Sequence, residues 1–164
     1  MLYDAGNIPL SERRAMTNKE KQVLAQEHFD HWYNSSKGFL RASKSCLKED
    51  DLNISVFNLH QATERTYNAV TLVFTGYKPN THNLSKLRRY CRNHSAELFA
   101  VFPRDTVQEK HLFDLLKRAY VDARYKKDYV ITADELQTLI NRVEKLQNIV
   151  EEICGRKIEK IDKD

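Results

Sequence analysis

The chain has 164 residues, of which 30% are charged, with a formal net charge of +4 and only four Gly and three Pro. That length suits one domain with a real core, and so little Gly and Pro excludes a fold built on turns. No run approaches the ~20 apolar residues of a membrane span, and the first residues lack the basic-then-apolar pattern of a signal peptide.

Residues 1–16 hold Gly6 and Pro9 and show no sustained period, so they read as a linker or extended arm. Thr17 stands three residues before Glu20, the spacing of a capping box. A helix is expected from there to about Leu47, with Leu24, His28, Trp32, Ser35, Phe39, Ala42 and Cys46 on its inward side. Lys48–Leu52 is a short acidic turn that makes the next helix an antiparallel neighbour.

That next helix, Ser55 to Gly76, is the centre of the pattern. At ~1.5 Å per residue it would run roughly 30 Å. Val56, Leu59, Thr63, Thr66, Val70 and Val73 form one stripe along it; Phe57, His60, Glu64, Tyr67, Thr71 and Phe74 form another. A helix with two such stripes is packed on two sides. His60 and Glu64, one turn apart, are a partly buried polar pair that needs partners from elsewhere in the chain.

After Gly76, placed to stop the helix, the loop YKPNTHNL carries Pro79 and His82. Asn83 is a candidate cap for the short basic helix LSKLRRYCRN, and SAELFAVFP adds an apolar patch. Thr106 with Glu109 opens the fourth helix, to about Ala123, with Leu112, Leu115, Leu116, Ala119, Tyr120 and Ala123 inward. RYKKDYVI is a basic, aromatic connection with no partner for a strand. Thr132 with Glu135 opens the last helix, in which Leu136, Leu139, Ile140, Val143, Leu146, Val150 and Ile153 repeat at three and four. Residues 156–164 are expected to fray. The reading is all-α: an antiparallel up-and-down helical bundle of four long helices plus a short one, with the domain spanning 17–155.

Charge is unevenly spread. Lys78 to Lys127 holds twelve Lys or Arg against five Asp or Glu, while the remainder is slightly acidic. A basic middle suits a polyanion, or is merely a solvated face. Cys46, Cys91 and Cys154 are in no metal-ligand spacing, which points to a reducing, cytoplasmic setting. Gly76 stands alone, so a glycine-rich phosphate loop is excluded.

Three motifs remain: Gln61-Ala62-Thr63-Glu64 on the central helix, Pro79-Asn80-Thr81-His82-Asn83-Leu84 after it, and Tyr120-Val121-Asp122-Ala123-Arg124-Tyr125 closing the fourth helix. In this order they resemble the HEPN domain (higher eukaryotes and prokaryotes nucleotide-binding), over about Lys19 to Cys154. The likeness is nearest to the branch fused behind a nucleotidyltransferase domain, whose junction motif LYD-x-G is matched by Leu2-Tyr3-Asp4-Ala5-Gly6. The resemblance implies the carboxy-terminal piece of a longer protein, without the transferase's own catalytic signature. It also implies a bundle that is usually dimeric and that binds nucleotides or cleaves RNA.

Cleaving members carry Arg, four to six residues, then His near the third motif. Here no His follows Arg118 or Arg124, and Arg88 or Arg89 with His94 is read as a chance match on the short helix. The expectation is therefore a non-catalytic nucleotide-binding and dimerisation module, with an RNA-cleaving toxin-like enzyme and a purely structural interaction domain as alternatives.

Arg124 is expected to pair with Glu64. One reading makes that pair structural, orienting Tyr120 and Tyr125. In the other, Arg124, Arg118 and Lys126 face a phosphate, while Tyr125 or His82 meets a base or ribose. His60 is counted with these as a ligand-binding candidate; a metal on His60 and Glu64 lacks further ligands. No catalytic residue is assigned. A bound nucleotide of the ATP or GTP class, RNA, a nucleotidyltransferase domain in cis or trans and a second copy are the expected partners, with no membrane.

Overall fold

The structure is a computed structural model that describes residues 14–164. The LYD-x-G segment and most of the expected arm lie outside the described residues. The element order is α1 (Asn18–Lys48), α2 (Leu52–Thr75), α3 (Leu84–Arg92), α4 (Ala96–Ala100), α5 (Val107–Arg118), α6 (Asp122–Tyr125) and α7 (Ala133–Ile161). No strand occurs among the described residues, and no helix is long and apolar enough to cross a membrane.

The local signals act where the sequence places them. Thr17, Thr106 and Thr132 each accept a hydrogen bond from the backbone of the Glu three residues on, and each Glu carboxylate accepts one from its cap's N–H. Asn83 caps α3 in the same sense, accepting from the Lys86 N–H at 3.1 Å. At the other end of α2, Gly76 takes φ +70° and donates its N–H to Leu72. That left-handed conformation is open to Gly and strained for side chains with a Cβ.

Helix α2 is the axis of the molecule. From Val56 to Val73 its buried residues point in every direction, because α1, α7, α3, α5 and α6 all pack on it. The direct bonds give the topology. Ser43 Oγ donates to the Ser55 carbonyl and Ser36 Oγ to the Ala62 carbonyl, so α1 and α2 run antiparallel. Gln22 reaches the Ile158 carbonyl and Gln147 reaches Ser36, so α1 and α7 are antiparallel too. Small side chains sit at the three-helix contact: Ser36, Ser43, Ser55 and Ala62 are all buried.

Three expectations need correction. The inward stripe of α1 is Ala25, Tyr33, Ser36, Leu40 and Ser43, one residue beyond the expected one. Hydrophobicity favoured Trp32 and Phe39, but close helix approach favours serine; the two rings stay half-buried, under the Arg65 guanidinium at 5.4 and 4.9 Å. The fourth helix stops at Arg118. The amides of Ala119 and Val121 bond three residues back instead of four, and the chain turns before re-entering helix as α6. Long helices are thus α1, α2 and α7, with α5 shorter at 12 residues. Finally, α7 does not fray after Gly155: it continues to Ile161, with Ile158 buried and its carbonyl held by Gln22.

Candidate functional site

Glu64 lies mid-way along α2, and its side chain is only 11% exposed. A carboxylate so deep needs donors, and the loop after α2 supplies one. His82 Nδ1–H donates to both carboxylate oxygens, at 3.1 Å each. Pro79 is buried, and Asn83 donates its N–H to the Thr81 hydroxyl, so the backbone is held on both sides of His82. The imidazole itself remains 56% exposed, and its Nε2 has no partner among the described residues.

The turn between α5 and α6 brings Tyr120 against this pair. Its ring stacks on His82, with centroids 4.3 Å apart and planes at 12°. It also lies 5.4 Å from His60 and 6.3 Å from Phe57. Arg124, one turn later, donates from Nε to the Tyr120 carbonyl at 2.9 Å. Its guanidinium rests over three rings: Phe57 at 4.5 Å, Tyr125 at 5.0 Å and Tyr120 at 5.1 Å.

The expected Glu64–Arg124 ion pair does not form. His82 occupies both oxygens of Glu64, and the back-bond to Tyr120 holds Arg124 on the aromatic platform instead. Among the described residues, no carboxylate lies within 4.0 Å of Arg124. An exposed guanidinium with a flat, rigid seat keeps donors free for an anion. Arg118 and Lys126 are different. Arg118 bonds Asp122 at 2.9 Å and lies 3.6 Å from Asp114, while Lys126 is 3.9 Å from Asp122. These local pairs offset their charge and take them out of the cluster.

His60 sits beneath the cluster and is fully buried, so it does not meet a ligand from solvent. Its Nδ1 is 3.8 Å from Glu64, too long for a hydrogen bond, and neither ring nitrogen has a hydrogen-bond partner. Burial foremost pushes its pKa down to about 4; the backbone of His82 is the next influence and opposes the shift, while the charges of His82 and Arg124 add to the lowering as lesser ones. The ring is therefore neutral at pH 7 and acts as a wall. Among the described residues, no three His, Cys, Asp or Glu side chains are arranged to hold a metal ion.

Loop 77–83 is shared between two places. On one side is His82; on the other, Thr81 lines a cleft of about 650 Å³ with Lys86, Tyr90 and His94. Sequence reasoning missed Lys86 and Tyr90 as possible lining residues, although their i, i+4 spacing on a capped helix puts them on one face. The Arg88–His94 match does not assemble. Arg88 is buried and donates to the Phe102 carbonyl, whereas His94 stacks on Phe74 at 4.6 Å and faces this cleft.

A family model described as HEPN domain matches residues 29–153, well over half of the chain and including α2, loop 77–83 and α6. No curated protein matches the sequence.

Proposed function

The chain belongs to the HEPN domain family, and from that premise we propose that it is a non-catalytic nucleotide-binding and dimerisation module working beside a nucleotidyltransferase domain. HEPN domains are nucleotide-binding or RNA-cleaving modules that often dimerise. One observation carries the ligand part: the Arg124 guanidinium is exposed, has no carboxylate within 4.0 Å among the described residues and lies on Phe57, Tyr125 and Tyr120, the ring that also stacks on the His82 imidazole. In this reading Arg124 meets a phosphate, and Tyr125, 74% exposed, offers a face for a base. Glu64 and Tyr120 hold His82 in place for a ribose or base edge. Arg118 and Lys126 contribute to the field around the site and not to contact.

Calorimetric titration with ATP and GTP tests it. Arg124→Ala is expected to weaken binding by about tenfold or more, the loss of one charge-assisted contact. Arg124→Lys should restore little, because an ammonium neither stacks flat nor forks. Absence of heat at millimolar nucleotide in the unaltered chain would sink the ligand part.

A second reading, RNA cleavage, is favoured by one feature. The Glu64–His82 bond leaves the imidazole Nε2 without a partner among the described residues, on the Tyr120 ring that also seats the Arg124 guanidinium, the arrangement of a base held in one tautomer. Cleavage of RNA by the chain, lost in both His82→Ala and Arg124→Ala, would replace the non-catalytic reading. Cleavage lost only in His94→Ala would point to the other cleft.

A further inference from the structure

The helix that carries the cleft residues Lys86 and Tyr90 turns another side toward α4 and the start of α5, and there the charges are unbalanced. Arg88 is 8% exposed. Its Nη2 donates to the Phe102 carbonyl at 2.9 Å, but Nε has no partner among the described residues. The guanidinium is pressed to 3.5 Å over the Phe99 ring and lies 5.7 Å from that of Phe113. Arg92 also lies over Phe99, at 4.9 Å, and Arg104 over Phe113 at 5.8 Å. None of Arg88, Arg92, Arg104 and Lys110 has a carboxylate within 4.0 Å among the described residues.

A buried guanidinium is ordinarily stabilised by a carboxylate, since withdrawing it from water costs several kcal/mol. Here its neighbours are more cations. Burial first, then Arg104 and Arg92, lower the Arg88 pKa, with Tyr67 opposing. Arg88 and Arg104, though not Arg92, line a cavity of about 550 Å³ together with Phe99, Pro103, Asp105 and Lys110. Asp105 is the one carboxylate on that wall, against three cations. Glu109, nearby in sequence, is already committed to the backbone amides of Asp105 and Thr106.

We infer that this cavity, sharing no lining residue with the Arg124 cluster, is a second anion site that takes a phosphoryl group. Several cations converging on one space suit a multiply charged anion with oxygens in several directions. The seat on Phe99 keeps the Arg88 fork in one plane, and Arg104 and Lys110 reach in from the rim. The volume is that of a small-ligand pocket. A phosphoryl group reaches it free, on a nucleotide or within an RNA strand, and the chemistry is the same for all three.

The test uses the whole chain carrying Arg124→Ala, so that the other site is weakened equally in both proteins, and compares it with the same chain bearing Arg104→Gln and Lys110→Gln in addition. These two side chains are exposed, so their replacement spares the fold; Arg88 is left alone because it is part of the core. Thermal unfolding is followed against inorganic phosphate, GTP and an RNA oligonucleotide without terminal phosphates, each against chloride at matched ionic strength. Expected is a saturable rise in Tm with at least one phosphoryl compound, and an affinity about tenfold or more weaker after the two substitutions. The compound that saturates at the lowest concentration names the source. No response beyond chloride overturns the site. So does a response unchanged by the two substitutions, which is how a general salting effect of phosphate would behave.

Discussion

At the residue scale, His60 is the group whose chemistry departs most from its sequence appearance. An imidazole with Glu64 one turn away suggests a charged pair, but full burial dominates and holds the ring neutral. Its folded pKa, about 4, lies below the ordinary value of 6.5, so between those values the unfolded chain binds the extra proton. His60 therefore contributes stability that is present above pH 6.5 and lost as pH falls toward 4, on the order of 3 kcal/mol in all. Denaturant unfolding at pH 7 and pH 4.5 checks this: His60→Leu should flatten the loss in that window and change stability little at pH 7, because no hydrogen bond is removed. An unchanged acid slope would contradict it. Glu64 shows the matching limit of sequence reading. Its need for a partner was legible from its place on a buried helix, but the partner's identity was not. A loop histidine 18 residues away and an arginine two helices later satisfy a carboxylate equally well on paper, and only the path of the backbone chooses.

At the element scale, the starts of α1, α5 and α7 were written in the chain because a capping box acts within four residues, whereas α2 opens at Leu52 without a side-chain cap, three residues before the expected Ser55. Stops were less legible. Gly76 ends α2 with a positive φ that any side chain would strain, so Gly76→Ala should cost about 1 kcal/mol. Gly155 is the opposite case. It sits inside α7 with nothing within 4 Å of an added Cβ, so Gly155→Ala should stabilise by about 0.5–1 kcal/mol. Equilibrium denaturation of both variants reads the two signs, and a loss at position 155 would reveal a contact that the fold does not show. The break between α5 and α6 has no Gly or Pro to announce it. It accompanies one tertiary contact, Tyr120 stacked on His82, while Arg118 is held locally by Asp114 and Asp122. A periodic reading runs straight through such a turn, which is why Arg118, Arg124 and Lys126 looked like one cationic face.

At the scale of the whole molecule, α1, α2 and α7 form a three-helix frame; α3, α5 and α6 cover the remaining flank of α2, and α4 packs on α3 and α7. The assembly part of the proposal predicts a particle of twice the 19.3 kDa chain mass in light scattering at high concentration; a monomer there would remove it. The sequence by itself determined the all-helical class, the central helix and the caps. These depend on interactions within one or two turns, and on an apolar pattern that no other class accommodates. Which side of α1 faces inward was decided by the tertiary structure. Serine-lined contact lets three helices approach closely, and that gain outweighs burying Trp32 completely. The site was decided there too. Three short motifs were visible, but their joining depended on a loop fold and a turn without local signals, and these gave Glu64 to His82 and left Arg124 free.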